Sequence, residues 1–238
     1  MTTSKRGREI HGKAEEVREA GDPVESLKLS EEAMIAYGED GDKLGFAEVL
    51  GSRVLALRHL YDQTEDSDFL ILAKHTAMAA VEIAEESKDQ KALGMPYRDL
   101  AKSLDTLGEY DKAAEYYQKA LDSFISNPPE EHKMDGRTAM IADLKVHLYI
   151  TEVKSGKMES IAKAEAAAEE LASGQEISKY NKDVWLSGAY MRLAEVLKDI
   201  DLEKAKMYLQ KSKEIIDANE ELKIRKSQWE KLAASFFK

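Results

Sequence analysis

Along most of the chain apolar residues recur every three to four positions, and each such run ends in a short polar or glycine-containing segment. The pattern is clearest in 97–124. Tyr97, Leu100, Ala101, Leu104 and Leu107 place an apolar stripe on one face of a helix. Gly108 follows as a left-handed cap would, and residues 109–111 turn the chain. Ala113, Tyr116, Tyr117, Ala120, Leu121 and Phe124 then form the stripe of a second helix, which Asn127-Pro128-Pro129 breaks. A short turn between two such helices makes them antiparallel neighbours.

The unit recurs. Ile10, Ala14 and Val17 form a stripe that stops at Ala20-Gly21. Asp22 is a natural N-cap and Pro23 a natural first helical residue for the helix lined by Leu27, Ser30, Ala33 and Met34. Leu44, Ala47, Leu50, Gly51, Val54 and Leu57 predict a longer helix reaching about Tyr61. Asp62–Asp68 reads as a polar loop, and Phe69, Leu72, Ala73, Ala77, Ala80, Val81 and Ile83 as its return helix. Further on, Met140, Ile141, Leu144 and Leu148 lead to Ser155-Gly156, and Ile161, Ala164, Ala168 and Leu171 follow. A fifth pair has Trp185, Ala189, Leu193, Val196 and Leu197, a turn at 199–201, then Leu202, Ala205, Leu209, Ser212 and Ile215.

The helix-packing residues Ala33, Ala80, Ala120, Ala168 and Ser212 are 40–48 residues apart. Self-similarity at that period predicts a helical solenoid. The expected fold is all-α: one domain over 1–238, built as a right-handed α-solenoid of antiparallel helix pairs. Its repeats are 7–40, 43–86, 94–127, 136–173 and 182–218. A last helix in 219–237 carries Leu222, Ile224, Trp229, Leu232, Ala233 and Phe236. It reads as a cover for the exposed end of the array, because terminal repeats have an open apolar side. The alternative is a dimerisation or partner surface made by Trp229, Phe236 and Phe237.

Composition narrows the functional classes. Charged residues make up 34%, the net charge is −11, and cysteine is absent. That excludes a disulfide scaffold, thiolate-bound zinc and a cysteine nucleophile. The acidity argues against a nucleic-acid backbone as partner. The first residues have no apolar stretch behind their basic positions, so no secretory signal is read there. No run approaches the about 18 apolar residues of a membrane span. The expected compartment is the cytoplasm, with no membrane partner.

Reaction chemistry is hard to find. His11, His59, His75, His132 and His147 include no i, i+4 pair, and HExxH, GxSxG and GxxxxGK[ST] are all absent. The acidic clusters Glu82/Glu85/Glu86 and Glu165/Glu169/Glu170 lie among lysines and read as solvated helix faces. No enzyme activity, metal or cofactor is expected.

Residues 94–127 resemble a tetratricopeptide repeat. Tyr97, Leu100, Ala101 and Leu104 fill its first-helix positions, Gly108 and Tyr110 its turn, and Ala113, Tyr117 and Ala120 its second helix. The resemblance extends over nearly the whole chain; in the fourth repeat Glu165 stands where the family prefers an aromatic. The links 38–43 and 86–91 resemble the longer variant of the repeat, in which Pro96 either kinks a helix or marks a start near Met95. In this family the first helices line a concave groove. That register implies His11, Glu15, Arg18, Glu48, Ser52, Leu55, Arg98, Lys102, Asp105, His147, Ile150, Tyr190 and Ala194 as groove-facing positions. The family's carboxylate clamp of Lys, Asn and Arg is not matched, since His11, Glu15, Ser52, Met95 and Asp99 hold the corresponding positions. The resemblance implies a non-catalytic scaffold, monomeric or weakly dimeric, that binds a protein or peptide partner as a helix or an extended strand. Its alternatives are a peptide- or ligand-sensing module acting on a separate effector, and a self-assembling structural protein.

Overall fold

The computed structural model describes residues 3–127, 134–174 and 178–236. Among these every regular element is helical. The chain divides into two compact units, Met1–Asn127 and Pro128–Lys238.

The first unit contains α1 (Lys5–Glu19), α2 (Pro23–Glu39), α3 (Lys43–Thr64), α4 (Asp68–Glu86), a 3₁₀ turn (Gln90–Ala92), α5 (Gly94–Thr106) and α6 (Tyr110–Ser126). Each helix packs on the next, and the first helices of successive pairs also touch: α1 against α3, and α3 against α5. The second unit repeats this scheme with α7 (Met134–Lys154), α8 (Ser160–Ser173), α9 (Lys179–Leu197), α10 (Leu202–Asp217) and α11 (Lys223–Ser235). There α7 touches α9, and α9 touches α11. This is the neighbour pattern of a solenoid of helix pairs.

Short-range chemistry sets the turns. Gly21, Gly41, Gly108 and Gly156 all have φ between +69° and +102°, which a β-carbon disfavours. After each glycine the next amide reaches back five residues: Asp22 to Val17, Asp42 to Tyr37, Glu109 to Leu104 and Lys157 to Glu152, at 2.9–3.0 Å. These are four Schellman ends, so one local motif stops four helices. Asp22 then caps α2 through the Glu25 amide at 3.0 Å, and Asp201 caps α10 through Lys204 at 3.0 Å.

Ala33, Ala80, Ala120, Ala168 and Ser212 are all buried. Ser212 fits because its hydroxyl donates to the Ser187 carbonyl of α9 at 3.0 Å, which satisfies the polar atom at a packing position.

Several boundaries and faces differ from the pattern reading. α3 continues to Thr64, where Glu65 takes a left-handed conformation and its amide bonds the Tyr61 carbonyl. The polar residues Asp62 and Gln63 thus extend a helix end; polarity alone does not make a loop. On α4 the buried line is Leu70, Ala73, Ala77, Ala80, Val81 and Ala84, and Leu72 faces outward. α5 starts at Gly94, so Pro96 lies in its first turn, where the missing amide has no intrahelical acceptor and no kink is needed. Pro128, Pro129 and Phe237 lie outside the described residues.

The end of the second unit is covered by α11. Trp229, Leu232 and Phe236 pack on the cluster that includes Ala189, Leu193, Ala205 and Leu209. The Trp229 indole N–H donates to the Leu209 carbonyl at 3.0 Å, and Arg225 donates to the Val184 carbonyl at 3.1 Å. Trp229→Ala is therefore expected to lower the stability of this unit by about 2 kcal/mol, below the full core value because the ring is only half buried. A urea melt followed by Trp185 fluorescence would show the shift, with the slope unchanged.

Candidate functional site

The α1–α3 seam has a consistent register. The Ser4 amide donates to Asp42 at 2.9 Å, Arg8 pairs with Glu48 at 3.6 Å, and His11 Nε2 lies 2.7 Å from Ser52 Oγ. The helices approach closely because Gly7 and Gly45 both face the Tyr37 ring, where a β-carbon on either would overlap it. His11, Glu15, Glu48 and Ser52 are thereby brought into one polar strip. Ser52 donates to Glu15 Oε1 at 3.1 Å, and His11 Nδ1 meets the Tyr37 hydroxyl at 3.3 Å. Burial lowers the His11 pKa from its ordinary 6.5, more than the Glu15 charge restores, and Arg8 and Arg18 lower it further. Burial also pushes the Tyr37 phenol up to about 12.

Arg18 is held low against the helices. Its side chain is 11% exposed and pairs with Glu19 at 2.7 Å. On α5, Arg98 donates twice to Asp99 Oδ1, at 2.9 and 3.0 Å, with side-chain exposures of 12% and 5%. Asp99 faces α3 at Gly51, where a β-carbon would sit 3.0 Å from Oδ2. Lys102 and Asp105 continue the α5 stripe and are half-buried. Of the candidates in this unit, Glu15 and Glu48 are the exposed ones, whereas Ser52 and Arg98 serve the seams between helices. Leu55 is half-buried.

In the second unit the predicted face is largely closed. His147 is buried beside Asp143, with Nε2 at 3.7 Å from its carboxylate. Ile150 and Ala194 lie in the core. The reason is that α7 is covered by both α8 and α9 and is apolar around most of its circumference: Leu144, Val146, Leu148 and Ile150 are all buried. Tyr190 stays half-buried and stacks on Tyr208 at 5.7 Å between centroids. The Lys211 ammonium lies 5.5 and 5.4 Å from these two rings. The Tyr208 hydroxyl donates to Glu165 at 3.1 Å, and Lys204 pairs with the same carboxylate at 2.6 Å. Burial pushes the Tyr208 phenol well up, and Glu165 adds to the shift. Glu165 thus has a cross-helix role, and Glu170 likewise takes Lys145 at 2.8 Å, so this acidic cluster is not simply a solvated face.

Arg8 and Tyr37 were not legible as site residues, and Asp99 stood out only as an unmatched clamp position. Arg8 looks like an ordinary helix-surface charge in sequence, and its partner Glu48 lies on the next first helix; Asp99 pairs with its neighbour Arg98 and faces Gly51 of α3. Among the described residues no group of three His, Asp or Glu is placed to hold a metal ion, and no helix is long and apolar enough to cross a membrane.

No family model and no curated protein matches the chain. Solved structures do. A Podosopora anserina protein described as a kinesin light chain with nearly identical TPR-like repeats superposes with a TM-score of 0.59 at 14% identity, over 90% of this chain and 97% of that one. A single-substitution variant of it gives 0.60 at 13%, over 91% and 97%. BtubC from P. vanneervenii gives 0.57 at 22%, over 89% and 80%. The fold is that of the TPR-like repeat proteins. The all-α TPR-like assignment thus covers about nine-tenths of the chain. At these identities the likeness establishes architecture, and the TPR-like fold by itself does not specify a ligand.

Proposed function

We propose that this TPR-like chain is a non-catalytic cytoplasmic scaffold that binds a partner protein or peptide along the face made by α1, α3 and α5. The observation that supports this most is the side-by-side packing of these three first helices. On this reading Arg8, Glu15 and Glu48 of α1 and α3, with Lys102 and Asp105 of α5, make up a mixed-charge strip on preformed helices. A rigid strip of this kind needs little ordering on binding, and its mixed charges select register more than they add affinity. An extended peptide or a helix with complementary charges fits it.

The test begins with partners captured by the purified chain and then measured as purified pairs. Glu48→Lys with Lys102→Glu is expected to weaken the complex about tenfold or more, a loss of about 1.4 kcal/mol. Lys28→Glu, at an exposed position of α2, serves as the control and is expected to change little. Equal affinity for all three proteins would place binding elsewhere. Arg98 is unsuitable as a probe, because its loss strips a buried carboxylate of its partner.

A further inference from the structure

His11 sits where three helices meet. Its Nδ1 lies 3.3 Å from the Tyr37 hydroxyl of α2, and its Nε2 lies 2.7 Å from Ser52 Oγ of α3. Ser52 donates to Glu15 Oε1 at 3.1 Å. A hydroxyl has a single proton to give. With that proton directed at Glu15, Ser52 accepts from Nε2–H, and Nδ1 is left to accept from the Tyr37 hydroxyl. The chain Tyr37 to His11 to Ser52 to Glu15 therefore runs in one direction and requires a neutral imidazole.

We propose that this chain is an acid-released latch that holds α1 against α2 and α3. When His11 takes a second proton, Nδ1 also donates. The Tyr37 hydroxyl must then reverse, and its own proton needs another acceptor in a buried site. The surroundings oppose the added charge. On α1, Arg8 and Arg18 repel it, and only Glu15, 4.0 Å away, favours it. From α2 the neutral Tyr37 faces the ring. From α3 come Ser52, which is neutral, and Glu48, whose charge is engaged by Arg8.

The sign follows from proton linkage. The docked state holds His11 below its ordinary 6.5, chiefly by burial, so the undocked state binds more protons between the two values. Docking of α1 is then fully supported above about pH 6.5 and weakens as the pH falls towards the docked pKa. A single proton changes the opening equilibrium by at most about tenfold per pH unit in that window.

Hydrogen exchange of the intact chain, corrected for the intrinsic pH dependence of exchange, reads the opening of α1. In the wild type, α1 protection is expected to fall by up to about tenfold per pH unit below about pH 6.5. His11→Gln keeps an amide donor for Ser52 but cannot be protonated, and is expected to remove this dependence. The same pH dependence in His11→Gln would overturn the latch. NMR titration of His11 provides a second measurement that does not require that variant to fold. Tyr37→Phe, which removes the hydroxyl that must reverse, is expected to raise the His11 pKa towards 6.5. A wild-type His11 that titrates at or above 6.5, or one unmoved by Tyr37→Phe, would also overturn it.

Discussion

Replacing Tyr37 by alanine is expected to lower the stability of the Met1–Asn127 unit by about 3–5 kcal/mol. The side chain is fully buried, in a cluster with Ala33 and Val49 against which Ile10, Met34 and Phe46 pack. Its ring also fills the space left by two missing β-carbons, at Gly7 of α1 and Gly45 of α3. Three helices therefore lose a common contact, and no neighbouring side chain on the glycines can collapse into the gap. Tyr37→Phe separates ring from hydroxyl. It keeps the packing and loses the bond to His11, for an expected cost of about 1 kcal/mol. Both tryptophans, Trp185 and Trp229, lie in the other unit, so the readout is hydrogen exchange of peptides from α1 to α3 together with the urea midpoint by circular dichroism. Equal losses for the alanine and phenylalanine variants would show that the ring's packing is not what joins the helices.

Removing Arg98 is expected to have an effect of similar size for an electrostatic reason. The Asp99 carboxylate is almost fully buried and accepts two hydrogen bonds from Arg98. Arg98→Met preserves much of the aliphatic stem but leaves that carboxylate without its counter-charge, an expected loss of about 3–5 kcal/mol. Adding Asp99→Asn removes the orphaned charge. The double variant is expected to recover most of the loss, since a buried ion pair is often replaceable by neutral groups at little cost. A double-mutant cycle in urea checks this. If the double variant is as unstable as Arg98→Met, the cost lies in the arginine's packing and not in the stranded carboxylate.

These two sites show where pattern reading reaches and where it stops. The turn signals Gly21-Asp22-Pro23, Gly108 and Asp201 act within a few residues, so their roles can be read locally and appear in the structure as caps and Schellman ends. The small residues at a 40–48 spacing mark the middle of each second helix, and all five are buried. The glycines at 7, 45 and 94 were silent in the same pattern. Their function is close approach to an aromatic ring on a second helix, Tyr37 for the first two and Phe124 for Gly94, where a β-carbon would lie 2.8 Å from the ring. A glycine in the first turn of a helix has no such meaning until the partner ring is placed.

The candidate site divides the same way. The family register implied His11 and Glu15 on the face of the first helix, but their joining to Ser52 depends on the lateral register of α1 and α3. The register of the tetratricopeptide resemblance implied an open face for His147, Ile150 and Ala194, yet α7 and α9 pack them inside. The sequence by itself determined the all-helical class, the pairing of helices and most of their ends, because periodicity, capping and left-handed glycine are properties of short stretches. Only the tertiary structure decided which polar side chains meet, which of them remain accessible, and where α3 and α5 have their boundaries. Those outcomes depend on the rotation and offset of one helix against the next, to which residues tens of positions apart contribute together.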